Sequence, residues 1–410
     1  MATPLTELLE EESALECILS EVGAASPEET PLADALGRYL AGNLIAQIPS
    51  PPFDCSAMDG YALAASPQGY PAGARFKIAT GSASAGACAP RVEPGQALRI
   101  FTGAAIPEGT GAVVMQEDVA ISSDDPPTTL ELKETSVEGE FIRHAGADLC
   151  AGQLLIPDGS LLTPQRISAA ASQGLTVVPC PPRSQVGILS TGDELIPPGS
   201  ALPSGSIYNS NLPLLTSLVG QSGGNVLQST HAGDKRKTLL QKGQQLLDSG
   251  CAILISCGGV SVGEHDHVRW MVEELGFESL FWGLRMRPGK PFLFARHPEG
   301  KWFFGLPGNP ASAFVCFHRL VGPALRKRMG AAPDLLPPPH VSAVLHGAIK
   351  APTTDRPHHL RGTLDRQGIF RPIGIQESHA ISGLAACNAL LRTCPGTDLR
   401  EGATVQVTPV

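Results

Sequence analysis

A chain of 410 residues with 42% hydrophobic and 17% charged residues has room for several globular cores, at a prior of roughly 150 residues per domain. Its formal net charge of -9 argues against broad contact with nucleic acid or an anionic membrane, and no apolar run is long enough for a membrane helix. The N-terminus lacks a basic leader followed by an apolar stretch, and the 10 cysteines stand singly without a CxxC pair, so a reduced, cytoplasmic protein is expected.

In chain order, Leu8, Leu15, Ile18, Leu19 and Val22 recur at helical spacing and predict a helix over 4–22. Ser26-Pro27-Glu28-Glu29 then reads as a capping box with proline at the first helical position. From about 46 to 145 the texture changes to short alternating runs, such as 75–78, 97–101 and 130–132, punctuated by Gly, Pro, Ser and Asp; these predict a β-rich module. Between 184 and 330 strand and helix alternate: VGILS at 186–190, a helix near 210–220, a short strand near 225–227, a helix carrying Leu239, Leu240, Leu246 and Leu247, and CAILIS at 251–256. Such alternation predicts parallel strands with crossover helices, a doubly wound α/β domain. In GNPASAF, Asn309 is placed to cap and Pro310 to open a last helix, with Ala311, Phe314, Val315 and His318 on one face. After Pro337 the runs VSAVL, HHLRGTL, GIFRPIG, ALLRT and ATVQVTPV read as strands of a small β-barrel. The expected fold class is multidomain α/β.

CGGVSVGEHDH, 257–267, follows an apolar strand and precedes a helix with Val268, Met271, Val272 and Leu275 on one side. Glycines let the backbone close on a phosphate, and free amides at a helix start favour negative charge; a glycine-rich turn without a ligand is the other reading. Glu264, His265, Asp266 and His267 are consecutive, so they point in different directions and cannot all meet one ion. Asp266 is the chemical choice for holding Mg²⁺ or positioning water, with capping as its alternative. STGDEL at 190–195 and GDK at 233–235 also leave strands, which puts Asp193, Glu194 and Asp234 at the carboxyl edge of the sheet, where ligands collect. RMRPGKP, 285–291, groups Arg285, Arg287 and Lys290 around a Pro-Gly turn; the group suits an oxyanion or phosphate, or is solvated surface charge. The nearest string to a Walker motif, 283–290, has five residues between its glycines and proline after the lysine, so nucleoside triphosphatase chemistry is not supported.

Taken together, SAMDGYA (56–62), FTGAAIPEGTGAVVMQED (101–118), GADLCAG (146–152), STGDEL, GGVSVGEHD (258–266), RPGKP (287–291) and GLPGNPASA (305–313) resemble, in order, the molybdopterin molybdenumtransferase family. The resemblance implies an elongated helical segment over 1–45 and 146–180, an inserted β-rich module over 46–145, an α/β molybdopterin-binding domain over 181–332 and a C-terminal β-barrel over 333–410. It implies a homodimer whose cleft lies between the α/β domain of one subunit and the β module of the other. It also implies the reaction: molybdate is inserted into adenylylated molybdopterin with Mg²⁺ or another divalent cation, AMP leaves, and molybdenum cofactor forms.

Carried over by position, Asp59, Glu194, Asp234 and Asp266 are the catalytic candidates, with Glu194 and Asp266 as metal ligands. Thr102, Gly258, Gly259, Ser261, Arg285, Arg287, Lys290, Pro307 and Asn309 are the substrate-binding candidates, and Asp148 is a further acid. Arg285 and Arg287 stand where lysines are common, Cys257 where a hydroxyl is usual, and Ser378 and Ser382 match only loosely. Two other functions fit parts of the pattern: molybdopterin adenylylation, because that family shares the α/β domain and double-glycine loop, and a non-catalytic scaffold. The SAMDGYA module and the acids present favour insertion. A molybdopterin adenylyltransferase and molybdoenzyme maturation proteins are the expected partners, with no nucleic acid and no membrane.

Overall fold

The structure, a computed structural model, describes residues 8–88, 90–260 and 267–410. The chain divides into two compact units: a smaller one of residues 43–157 and 169–174, and a larger one reaching up to Gly42 and comprising 158–168 and 175–410.

The smaller unit is built on a six-stranded sheet in the order Thr110–Met115, Gly60–Ala64, Gln96–Ile100, Arg75–Ala83, Thr129–Leu132, Val119–Ile121. Side chains alternate across it as a strand's period of two requires: Tyr61 and Leu63 enter one core, Ala62 and Ala64 the other. Both faces are covered, so the central strand Gly60–Ala64 is buried throughout. Gly60 itself is fixed by close packing, since a Cβ there would lie 1.8 Å from the Val114 carbonyl oxygen.

The larger unit holds a second six-stranded sheet, ordered Asn225–Ala232, Gln185–Thr191, Ile253–Cys257, Lys301–Leu306, Leu293–His297, Glu278–Trp282. Its first four strands are parallel. The helices Asn211–Gln221 and Pro310–Cys316 pack on one face, Arg236–Asp248 and His267–Glu274 on the other, which makes it doubly wound. The sheet is nevertheless not all parallel as expected: Glu278–Trp282 and Leu293–His297 form an antiparallel hairpin at one edge, and its connection is the cationic turn RMRPGKP. The short strand near 225–227 extends to Ala232. At the C-terminal end Val341–Leu345, Ile369–Pro372, His358–Leu364, Ala389–Thr393 and Thr404–Pro409 close a barrel, around Leu345, Phe370, Leu391 and Val407.

Two expectations about the N-terminal segment are corrected. The first helix runs Glu11–Glu21, while Leu8 to Glu10 is not helical because Leu9 bridges to Leu284. The capping-box string opens no helix: Glu28–Pro31 is a strand paired antiparallel with Val177–Cys180. Pro31 explains this, since a proline inside the first turns removes a helical hydrogen bond and clashes with the preceding turn. No described helix is long and apolar enough to cross a membrane.

Candidate functional site

In an open α/β sheet the chain leaves a crevice where the strand order reverses. Here Gln185–Thr191 lies between Asn225–Ala232 and Ile253–Cys257, so the switch point is between the carboxyl ends of Gln185–Thr191 and Ile253–Cys257. Gly258 and Gly259 leave the second of these with φ of 95° and 69°. They pack directly on the end of the first: a Cβ at 258 would lie 2.7 Å from the Thr191 carbonyl oxygen, and one at 259 would lie 3.0 Å from Thr191 Oγ1. The Thr191 hydroxyl is buried and has no hydrogen-bond partner among the described residues. Gly258 N–H donates to the Leu306 carbonyl at 3.1 Å, tying the turn to the strand that leads into Pro307–Asn309. Ser261 and Asp266 lie outside the described residues, as do Glu264 and His265.

Cys257 does not face the crevice. Its thiol is buried and donates to the Pro307 carbonyl at 3.1 Å, and burial pushes its pKa up to about 12. The departure from a hydroxyl residue therefore falls under the loop. Cys257 is expected to resist iodoacetamide in the native protein while exposed Cys150 and Cys394 are alkylated, because the thiolate is the nucleophile; peptide mass spectrometry of the labelled protein checks this.

The acids after successive strands do meet. Asp234 N–H donates to Asp193 Oδ1 at 3.0 Å and Asp193 N–H to Asp234 Oδ2 at 3.4 Å, so the two loops brace each other through the side chains. The Glu194 carboxylate folds over Gly192, where a Cβ would lie 2.6 Å from Oε2. Among the described residues no group of three His, Cys, Asp or Glu side chains is gathered to hold a metal. The exposed carboxylates of Asp193, Glu194 and Asp234 are nonetheless the hard oxygen donors that Mg²⁺ takes together with water, and in that sense the donor set fits the ion.

Of the three cations, Arg285 is engaged elsewhere: its Nε lies 3.0 Å from Glu10 Oε1 and its Nη2 donates to the Asp355 carbonyl at 2.7 Å. Arg287 and Lys290 are exposed and have no ion-pair partner among the described residues. Their turn is seated on the helix Pro310–Cys316, since a Cβ on Gly289 would lie 2.7 Å from Cys316 Sγ. Asn309 sits at the N-cap position of that helix but makes no side-chain cap. Instead its Nδ2 donates to Ser378 Oγ at 2.9 Å, which brings the 374–384 stretch of the barrel to the Pro307–Asn309 loop. The helix is buried all round from Ala311 to Cys316, not only on the expected face.

Sequence reasoning missed Asn211, whose Nδ2 donates to the Gly308 carbonyl at 2.6 Å and whose Oδ1 is buried without a partner. Its place at the first turn of a helix following a sheet strand was the available signal. It also missed Arg361, which is 1% exposed and donates Nη2 to the carbonyls of Ile375 and Glu377; nothing local in the sequence marks it.

In the smaller unit Thr102 donates both its backbone N–H, at 2.7 Å, and its hydroxyl, at 2.8 Å, to Asp59 Oδ1. These bonds, with Arg99 adding its charge, hold the Asp59 carboxyl below the usual range. Arg99 is itself fixed between the rings of Tyr61 and Phe101, 5.2 and 5.1 Å from their centroids. Asp54 accepts the Ala145 N–H at 2.7 Å, and Cys55–Ser56 pairs with Ile142–Arg143. The SAMDGYA loop is thereby joined to the segment that carries exposed Asp148.

Residues 9–174 match the family described as MoeA N-terminal region (domain I and II), 187–327 the probable molybdopterin binding domain, and 343–410 the MoeA C-terminal region (domain IV). The molybdopterin molybdenumtransferase of Haemophilus influenzae is 35% identical over 364 residues, 88% of either chain. That of Bacillus subtilis is 31% identical over 392 residues, 92% of this chain and 88% of its own. Among solved structures, the molybdopterin biosynthesis moeA protein from Pyrococcus horikoshii is similar with a TM-score of 0.83 at 27% identity, covering 98% of this chain and 100% of that one.

Proposed function

The chain belongs to the molybdopterin molybdenumtransferase family, and from that premise we propose that it inserts molybdate into adenylylated molybdopterin, releasing AMP and forming molybdenum cofactor. The observation that carries this reading is the double-glycine turn at the switch point, where Gly258 and Gly259 turn with φ of 95° and 69° and pack on Thr191, the kind of glycine turn after a strand that phosphate binding uses. Arg287 and Lys290 are the cations assigned to phosphate or molybdate oxygens, with Arg285 bracing their turn and Pro307 and Asn309 lining the approach. Thr102 keeps Asp59 ionised and in one orientation, as a group that positions or deprotonates a nucleophile requires. Cleavage of the phosphoanhydride adds one water across the bond, one phosphate going to AMP and the other staying on the pterin.

A divalent cation, taken through water by Glu194 and Asp266, would supply charge neutralisation of the anhydride oxygens; Asp234 is assigned to orienting water. The proposed organisation has four domains, with the β module over 46–145 inserted between the two pieces of an elongated segment, the α/β domain over 181–332 and the barrel over 333–410. The assembly we propose is a homodimer, in the cytoplasm, handing cofactor to molybdoenzyme maturation proteins and receiving substrate from a molybdopterin adenylyltransferase.

The test is AMP release from adenylylated molybdopterin with and without molybdate. Release should depend on molybdate, and Asp59→Asn, which keeps an oxygen for Thr102 but removes the charge, should lower it by about 10²-fold or more. Accumulation of adenylylated molybdopterin from molybdopterin, ATP and Mg²⁺ alone would instead assign the adenylylation step to this chain.

A further inference from the structure

The strands Gln185–Thr191 and Asn225–Ala232 start at the sheet edge opposite the crevice, and a cleft of about 550 Å³ opens there. Tyr39, Arg183, the turn at 220–223, His318 and Arg326 line its polar side, and Pro338 and Pro409 an apolar side. Arg326 donates Nε to the Leu335 carbonyl at 3.0 Å and Nη2 to the Leu336 carbonyl at 2.7 Å. Arg183 donates Nη1 to the Gly223 carbonyl at 3.0 Å and Nη2 to that of Leu36 at 3.4 Å. Carbonyl partners orient both guanidinium groups without neutralising them, and neither has a carboxylate partner among the described residues.

His318 stands on the π-helical turn Phe317–Val321, an irregularity often found at functional positions. Its ring is held edge-on against Phe314, 4.5 Å between centroids, and its Nε2 is buried with no hydrogen-bond partner. Burial, then Arg326 and Arg319, push its pKa down to about 4, so the imidazole is neutral at pH 7. Arg319 is already paired with Glu11, and Tyr39 is the remaining titratable group beside Arg326. The cleft therefore combines oriented positive charge, an unused imidazole nitrogen and an apolar wall, with no Asp or Glu side chain among its lining residues. A purely structural role explains the arginine–carbonyl bonds, but it leaves the buried nitrogen and the uncompensated charge side by side, each unfavourable without an acceptor.

We propose that this cleft binds a small phosphate-bearing molecule, its phosphate held by Arg183, Arg326 and His318 and the rest of it against Tyr39 and the prolines. Guanidinium forks match phosphate oxygens in this way, and the volume accommodates a ligand of nucleotide size. The site is separate from the crevice and does not depend on the molybdenum chemistry. Both helical stretches that bound it begin at the crevice, one at Asn211 beside Gly308 and the other after Asn309.

The test is titration of the full-length protein, carrying isotope-labelled histidine, with inorganic phosphate and separately with AMP, following the His318 imidazole resonances by NMR. Saturable movement of those resonances together with a rise of the His318 pKa is expected, because an added anion favours imidazolium. Response to both compounds assigns recognition to the phosphate; response to AMP alone adds the nucleoside to what the cleft reads. Arg183→Gln should weaken binding by about tenfold or more, and because it gives up only two carbonyl bonds it serves where Arg326→Gln fails to fold. Lys290→Gln should leave the His318 response unchanged. No movement with either compound at millimolar concentration, or the same response in Arg183→Gln, overturns the proposal.

Discussion

Glu11→Gln is expected to destabilise the larger unit by about 3–5 kcal/mol, the usual cost of removing one member of a buried ion pair. The Glu11 side chain is 4% exposed and sits among groups from two other regions of the fold. It is paired with Arg319 of the π-helical turn, lies 2.7 Å from His359 Nε2 of the barrel, and lies 3.6 Å from Arg392 Nε, also of the barrel. Replacing the carboxylate by an amide of the same shape leaves a buried guanidinium and imidazole facing a neutral group, so the loss exceeds the net value of the bonds themselves. The measurement is urea unfolding followed by tryptophan fluorescence, which reports this unit because Trp270, Trp282 and Trp302 all lie in it. A loss below about 0.5 kcal/mol, the range of ordinary surface substitutions, would show that the cluster does not hold the barrel and the N-terminal helix in place.

The same cluster fixes the direction of a pH effect. Burial alone raises the Glu11 carboxyl, but His359 and then Arg319 outweigh it, and the net pKa is held well below the ordinary carboxylate value. A carboxyl with a depressed folded-state pKa contributes stability that is fully present above its unfolded pKa, about 4.3, and is lost as pH falls toward the folded value. The difference between wild type and Glu11→Gln should therefore shrink as pH falls below about 4. A difference that grew on acidification would contradict the assignment of Glu11 as the ionised member.

The contrast between these residues and the crevice explains what the sequence makes legible. The barrel strands Val341–Leu345 and Thr404–Pro409 alternate because one face of each packs inward, and acids following parallel strands meet because those strands end at the same edge. Partners far apart in the chain leave no local trace. Glu11 looks like one more charge in an acidic run, although its neighbour Glu12 is exposed and only Glu11 is buried with Arg319. Arg285 reads as a member of a cation group, and only the folded chain brings Glu10 and Asp355 to it. Cys257 lies in a strand buried on both faces, so alternation cannot say which way its thiol points. The hairpin Glu278–Trp282 and Leu293–His297 escaped notice because its burial follows no clean alternation. The capping-box string failed for the opposite reason: a strong local signal was overridden by Pro31 and by pairing with a distant strand.

Gly258→Ala should lower kcat/KM for molybdate-dependent AMP release by about 10²-fold, the scale of effect that an ångström of displacement produces at a positioned substrate. Two costs act together at this residue. Its φ of 95° lies where L-residues are strained, by about 1–2 kcal/mol. The new Cβ would also stand 2.7 Å from the Thr191 carbonyl oxygen, a backbone atom of an interior sheet strand that cannot rotate away. The turn must move instead, and with it the backbone that the proposed function assigns to phosphate. Gly259→Ala provides the internal comparison. Its φ of 69° is one that non-glycine residues adopt more readily, and its closest contact is a side chain, that of Val268 at 2.5 Å, and not a backbone atom. A smaller loss is expected there, about tenfold at most, with a comparable shift in melting temperature. Equal activity losses in the two variants, or a Gly258→Ala protein within about threefold of wild type, would mean that the backbone of this turn does not contact the substrate and that the phosphate is held elsewhere on the sheet edge.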